Sequence, residues 1–554
     1  PRPTSGAPRP AASASASRQP LPLSGGGTDW CGRFREALEL PSRNEEELLV
    51  KFEAMASLAR DFTCQAEIYA RIIISEHHLP LSEKTLRPNE TVGGFAGGQK
   101  YVCQNILFKF AVDDRGLFGG NDEPASKFAG HELRGLNWYL RYAQDLGILV
   151  PLTCVVDFMG MRILAKAVAP VGHDTLVYGS DDGGVTVQNA NEELAEKMAQ
   201  VALRLNLAEH QCQDKQLHAA CDVEGHLGTD GSFWLLDTAR CWPPEAPLRD
   251  GAEAVGARPT PQKRPLHKLL RPELVMENPV PLSPDALSGF GRHGRERFDA
   301  EVGDATRALR TRTIPEFSAW LDSLNLREMR SVDIKMELHR RGINLRHLGL
   351  CFRRCTSSIA RAELLMEMLA RSFKTIIKRT FRSIRKHNFS AVMEPYRRTL
   401  VDYLNLWFGE GPKTQEHWTD EVVPTLAEKF EGLLDDDFLY LRACGALCRV
   451  DYVQRDVVFY RFRKHIHFDL SPAAERDVLE QQEITAKMTF DPFNFLVQLD
   501  RQNSGVDVYT FYTEGPGALK AERLSSSPAT LEKDSSPTRD GDDPLTESGL
   551  GEGG

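Results

Sequence analysis

Three carboxylates fall within twenty residues of one another, at Asp222, Glu224 and Asp237. Magnesium takes oxygen ligands and needs only one or two from protein, so this set is large enough for a metal and phosphate. Asp237 follows Phe233, Trp234, Leu235 and Leu236, which read as a buried strand. Thr229, Asp230 and Gly231 before it read as a tight turn, because Asp can bond its own backbone and Gly tolerates positive φ. A carboxylate at a strand end faces a loop, and loops carry binding chemistry. Two readings stay open: Asp237 holds a cation, or it closes a hairpin with Arg240 as its partner. Lys109 is the matching base. It alternates with Phe108 and Phe110, so it points away from them, either toward a phosphate or into water. The glycines from Gly93 to Gly98 could cover phosphates with backbone N–H groups or form a flexible connector. They do not fit the G-x-x-x-x-G-K-[ST] loop, because Tyr101 takes the hydroxyl position after Lys100.

A second group of residues suits an anionic partner. Arg371, Lys374, Lys378, Arg379, Arg382, Arg385 and Lys386 occur with no acid among them. Phe373, Ile377, Phe381 and Ile384 supply an apolar stripe at helix spacing. Such a helix buries one face and presents a basic one. That face either pairs with acids elsewhere in the chain or meets a phosphate backbone or an anionic membrane surface. Arg340, Arg341, Arg346, Arg353 and Arg354 would enlarge it if they fold to the same side. Few aromatics lie nearby to stack on bases, so sequence-specific RNA reading is not expected.

The elements that must position these residues alternate in type. Glu45 to His77 is helical, and Asn44 to Glu47 loads its first turn as the dipole prefers. Tyr101 to Val112 reads as one strand, Asp113 and Asp114 as a turn, Gly116 to Gly120 as a glycine turn, and Ala125 to Leu146 as a helix carrying His131 and Glu132. Val150 to Phe158 and Arg162 to Val168 form a hairpin through Met159 and Gly160. Asn191 to Leu205 is helical, and the Cys221 to Arg240 hairpin follows. Pro-rich residues 243 to 290 read as a surface linker. Phe298 to Leu324, Asp333 to Arg341, Ala360 to Asn388 and 395 to 450 are helical. Residues 455 to 470 alternate enough for a strand, with helix as the alternative, and Phe490 to Leu499 and Val506 to Tyr512 fit either type. No fixed-period repeat is present.

Composition narrows the classes. The chain has 554 residues, 41% of them hydrophobic, and a net charge of −10. That excludes a uniformly basic nucleic-acid binder and confines any such site to a local patch. The longest apolar run, Leu146 to Val156, contains Gly147 and Pro151 and is too short to span a bilayer. Eleven cysteines occur without a CxxC pair. Cys351 with Cys355 and Cys444 with Cys448 lack partners at zinc spacing, so reduced cytosolic thiols are expected. The chain begins with Pro and shows no signal pattern, so its natural start is expected upstream.

Several stretches resemble the Clu domain of the clustered-mitochondria proteins. They are Leu107 to Asp113, Ala129 to Leu136, Val177 to Gly183, Gly228 to Gly231 and Leu235 to Asp237. Leu270 to Leu274 and Leu338 to Gly349 resemble the segments that follow that domain, and residues 360 to 450 its helical region. The resemblance implies a cytoplasmic protein acting on mitochondrial distribution, with some family members binding mRNAs of mitochondrial proteins. No 34-residue tetratricopeptide array or ubiquitin-like module is read here, so functions resting on those parts are not carried over. Leu107 to Leu136 and Asp222 to Gly228 with Leu235 to Asp237 are also similar to SAICAR synthetase. That similarity implies a kinase-like domain in which Lys109 pairs a phosphate and Asp237, with Asp222 and Glu224, holds magnesium beside ATP.

The expected fold is therefore α+β. A kinase-like, SAICAR synthetase-like antiparallel-sheet Clu domain at 90–250 follows a disordered 1–28 and a helical 29–89. After it come a Pro-rich linker at 251–295, a mainly helical region at 296–514 and a disordered acidic tail at 515–554. The expected function is a non-enzymatic cytoplasmic scaffold that meets mRNA or ribosome-associated partners through the basic helix. An ATP/Mg-dependent phosphotransferase or ligase is the alternative, with Mg-ATP as the only cofactor implied.

Overall fold

A computed structural model describes residues 26–89, 98–114, 116, 118–247, 268–290, 294–384, 394–466 and 507–510. The helices Trp30–Glu39 (α1) and Glu45–Ser75 (α2) come first. The strands Lys100–Cys103 (β1) and Ile106–Phe110 (β2) follow, then the helix Asp122–Ala143 (α3). Next are β3 (Ile148–Leu149), β4 (Thr153–Phe158), β5 (Met161–Ala167), β6 (Leu176–Gly179) and β7 (Gln188–Asn189). The helix α4 (Glu192–Leu205) precedes β8 (His210–Cys212), β9 (Lys215–Leu217), β10 (Glu224–Leu227) and β11 (Phe233–Leu236). Helices then dominate: α5 (Pro272–Met276), α6 (Arg295–Ala308), α7 (Ile314–Ser323), α8 (Leu326–Ser331), α9 (Ile334–Arg340) and α10 (Leu348–Arg354). The last are α11 (Ser358–Ser383), α12 (Glu394–Phe408), α13 (Pro412–His417), α14 (Val423–Lys429), α15 (Asp435–Cys444) and α16 (Arg455–Ile466), with a final strand β12 (Asp507–Thr510).

The first sheet has the order β1-β2-β5-β4-β12 and is antiparallel throughout. The second has the order β3-β11-β10-β6-β7, with β3 parallel to β11 and the other pairs antiparallel. The strands β8 and β9 form a separate hairpin. Phe108 and Phe110 turn one face of the first sheet toward Tyr69 of α2 and His77 just beyond it. The opposite face, carrying Lys109 and Lys166, is covered by α3. One hydrophobic core runs from α1 and α2 through the sheets into the helices.

Three expectations change. Tyr101 to Val112 is a hairpin and not a single strand. Gln104 and Asn105 both take positive φ, 51° and 58°, which is the geometry of a two-residue turn. The 455–470 stretch is helical up to Ile466. Val458, Phe459 and Phe462 are buried at helix spacing. Phe462 stacks on Phe373 of α11 with ring centroids 3.9 Å apart, so packing against a long helix overrides strand propensity. The described part of the Pro-rich linker, 268–290, is packed and not superficial, with Leu269, Leu270, Val275, Leu282 and Asp285 buried.

Other expectations hold in outline. The β4–β5 hairpin turns at Met159 and Gly160, and α4 starts at its Asn191 cap. Asp113 forms its turn by accepting the N–H groups of Phe118 and Gly120. The glycines 93–97, most of both terminal segments and Phe490 to Leu499 lie outside the described residues. All eleven cysteines are free thiols, and no described helix is long and apolar enough to cross a membrane.

Candidate functional site

Asp222, Glu224 and Asp237 of the 221–240 hairpin separate into two clusters. Asp237 sits in the left-handed region, φ 50°, directly after β11. Its Oδ1 accepts from Lys109 Nζ at 2.6 Å and from Lys166 Nζ at 3.3 Å. Lys166 also donates to Glu132 of α3, and Lys109 Nζ lies 3.9 Å from the same carboxylate. Two lysines thus face two carboxylates. Burial alone would lower the Lys109 pKa, but Asp237 and Glu132 outweigh it and hold it above the ordinary value. The mirror argument places Asp237 below its ordinary range. Glu224 is raised by burial and by Asp237, and it lies 3.5 Å from His226.

Asp222 belongs to the other cluster. Arg240 donates Nε and Nη2 to it at 2.7 and 2.8 Å and reaches Asp285 at 2.7 Å. Arg240 is therefore not the partner of Asp237. Asp285, from the segment read as a linker, also accepts the backbone N–H of Cys221 at 2.8 Å and lies 3.0 Å from His210 Nε2. His210, Cys212 and Asp285 lie close enough to share a metal, as do Glu245, His347 and Glu431. Arg240 pairs with Asp285, and Arg310 and Arg346 with Glu245, so a carboxylate of each set is also part of an ion-pair network.

Lys109 is not a solvated strand lysine, because α3 covers its face of the sheet. Lys166 was missed by the sequence reading. Its signal was the register: Leu107 pairs with Lys166 and Lys109 with Leu164, which puts both lysines on one face.

The basic helix forms a second site. Arg371, Lys374, Lys378 and Arg382 run down one stripe of α11 and line a cleft of about 310 Å³. Lys127 of α3, Arg162 of β5 and Lys429 of α14 complete its positive lining, and Glu123 and Asp157 are its carboxylates. Asp157 accepts from Arg162 at 2.5 and 2.6 Å and from Lys378 at 2.6 Å. Arg382 donates to the Gly160 carbonyl at 2.6 Å. Gly160 has φ 78°, and a Cβ there would stand 2.3 Å from the Lys378 carbonyl, so the hairpin turn can meet α11 only as glycine. Arg379 pairs with Glu123 and Glu428, and Arg371 with Glu367.

The helix is therefore not an open basic face. It docks onto the sheet, and its cations form the wall of a cleft. Arg340 and Arg341 pair with Glu337 and Arg346 with Glu245, away from this wall, while Arg353 and Arg354 are exposed. Arg385 and Lys386 lie outside the described residues.

Residues 29–247 match the family model described as Clustered mitochondria. Over these residues the chain carries a Clu domain. Residues 327–416 match a second model, Translation initiation factor eIF3 subunit 135. A clustered mitochondria protein homolog of Neurospora crassa is 29% identical over 261 residues, covering 45% of this chain and 19% of the relative. The homolog of Aspergillus terreus is 23% identical over 511 residues, covering 78% of this chain and 38% of the relative. The chain thus spans well under half the length of these curated relatives. No solved structure matches it.

Proposed function

We propose that this chain is a non-enzymatic scaffold of the clustered-mitochondria kind that acts in the cytoplasm on mitochondrial distribution. RNA or a ribosome-associated partner meets it at the cleft beneath α11. The relatives' name supports the mitochondrial role. The match of 327–416 to an initiation-factor subunit spans all of α11 and supports a link to translation. The carrying observation is the charge of the cleft, where seven cations face two carboxylates. A phosphate backbone suits such a surface. Crosslinking in cells followed by sequencing tests it. mRNA should be recovered with crosslinks near α11, and recovery should fall in a Lys127→Glu, Lys374→Glu variant. Recovery no higher than from a crosslinked control protein removes RNA from the account.

A second reading has its own observation, the pairing of Lys109 with Asp237 at 2.6 Å beneath α3. In a kinase-like domain these residues would pair a phosphate and hold magnesium, giving an ATP-dependent phosphotransferase or ligase. Binding would require Asp237 to exchange two lysines for a cation. Thermal shift with Mg·ATP separates the readings. Stabilisation that disappears in Asp237→Asn establishes the nucleotide site, and no shift in the wild type leaves the scaffold alone.

A further inference from the structure

We propose that His210, Cys212 and Asp285 bind a structural zinc ion, with Cys221 as the fourth ligand, and that the ion fastens the segment 268–290 to the β8–β9 hairpin. An imidazole, two thiolates and a carboxylate make a donor set that suits zinc and is too soft for magnesium or calcium. His210 and Cys212 are two apart on β8, so both side chains leave the strand on its buried face. Cys221 follows the hairpin, and Asp285 arrives from 268–290 and accepts the Cys221 N–H at 2.8 Å. The set matches no local zinc spacing in the sequence, because Asp285 is 75 residues from His210.

The distances fit a shared ion. Asp285 Oδ2 lies 3.0 Å from His210 Nε2 and 3.4 Å from Cys212 Sγ. Zinc bonds of about 2.0 Å to nitrogen and oxygen and about 2.3 Å to sulfur, arranged tetrahedrally, set edges of about 3.3 Å for N–O and about 3.5 Å for S–O. The three ligand atoms all lie within 4.8 Å of one another. The Cys221 thiol is hydrogen-bonded to Cys212, which puts a second sulfur beside the first. All four side chains are buried. A site with no position open to water is the closed, structural kind and not the catalytic one.

The hydrogen bonds fit as well. His210 Nδ1 lies 3.1 Å from the Ala208 carbonyl, which can only accept, so Nδ1 carries a proton. On a neutral imidazole, Nε2 then turns a lone pair toward Oδ2, and a cation is what such a pair of acceptors lacks. Oδ2 has two lone pairs and three close neighbours, Nε2, Sγ and the Cys221 N–H. With zinc, one lone pair takes that N–H and the other takes the ion, and Nε2 and Sγ become fellow ligands. Oδ1 accepts from Arg240 at 2.7 Å. The Ala208 carbonyl and Arg240 thereby hold the imidazole and the carboxylate in orientation, as outer-shell partners of metal ligands do.

The test is metal analysis of the full chain purified without chelator, followed by cobalt(II) substitution of the stripped protein. One zinc per chain should survive gel filtration. Cobalt should give a thiolate charge-transfer band with the intense visible bands of a tetrahedral site. In competition with a chromophoric chelator, Cys212→Ser should weaken zinc binding at least about tenfold. Cys448→Ser, whose thiol instead meets Glu410, should leave it unchanged. Zinc X-ray absorption of the wild type decides the matter if Cys212→Ser does not fold: two sulfurs and two lighter atoms are expected around the ion. A shell with one sulfur overturns Cys221 as the fourth ligand, and a shell without sulfur overturns the site. So does a folded Cys212→Ser that holds zinc as tightly as the wild type. A chain that retains no zinc and gives no tetrahedral cobalt spectrum also overturns it, and leaves His210 an imidazolium paired with Asp285.

Discussion

Asp157→Asn is the sharpest perturbation of the joint between the sheet and the helices. The Asp157 side chain is buried and neutralises both Arg162 and Lys378, which come from different parts of the chain. Asparagine keeps the shape and removes the charge, leaving two cations facing each other beside Lys374. Removing one partner of a buried pair costs about 3–5 kcal/mol, a large part of a total of about 5–15 kcal/mol. Burial would raise the Asp157 pKa, but Arg162 and then Lys378 outweigh it, so the carboxyl is held well below its ordinary range. A depressed carboxyl contributes stability that is present above the unfolded value, near pH 4, and is lost as pH falls toward the folded one. Unfolding followed by tryptophan fluorescence should therefore show a deficit of about 3–5 kcal/mol at pH 7. The deficit should shrink as the pH is taken below about 4. Hydrogen exchange should place the loosening at the β4–β5 turn and α11. A deficit under about 1 kcal/mol at pH 7, the size of a surface pair, would refute the argument.

Three further outcomes follow from the same geometry. Gly135→Ala would put a Cβ 2.1 Å from the Thr238 carbonyl, so thermal unfolding should show a loss of about 1–3 kcal/mol; an unchanged melt means that α3 does not lie on the Asp237 turn. Lys166→Met should destabilise more than Lys109→Met, because Lys166 is the more buried lysine and the closer partner of Glu132. Equal denaturant midpoints would contradict that. Asp285→Asn leaves Arg240 with Asp222 alone, and protease cleavage between 268 and 290 should accelerate severalfold; an unchanged cleavage rate places no anchoring role on Asp285.

Local signals in the sequence carried much of the fold. The Asn44 and Asn191 caps, the Met159-Gly160 turn and the Thr229-Asp230-Gly231 turn each act within a few residues, and each marks the element observed. The β1–β2 turn escaped because Gln104 and Asn105 take positive φ without a glycine to announce it. The α16 helix escaped because its aromatic residues suit either type until Phe373 is brought against Phe462. The site was legible in its residue types but not in its pairings. Alternation placed Lys109 opposite Phe108 and Phe110, as observed, but nothing local says that α3 covers that face. Arg240 lies three residues from Asp237, yet its charge goes to Asp222 and to Asp285, 45 residues away. The basic run on α11 was visible; its docking onto the sheet depends on Asp157, Gly160 and Glu123, more than 200 residues earlier in the chain.

The proposed engagement of phosphate-bearing partners by the cations beneath α11 has a direct readout. The most direct measurement is the salt dependence of RNA binding by the full chain and by the Lys127→Glu, Lys374→Glu variant. The wild type should lose affinity linearly with the logarithm of salt, by roughly 0.7 per phosphate contacted on a single strand. The variant should bind more weakly, with a slope shallower by about one to two. Identical affinity and slope for the two proteins would contradict the account.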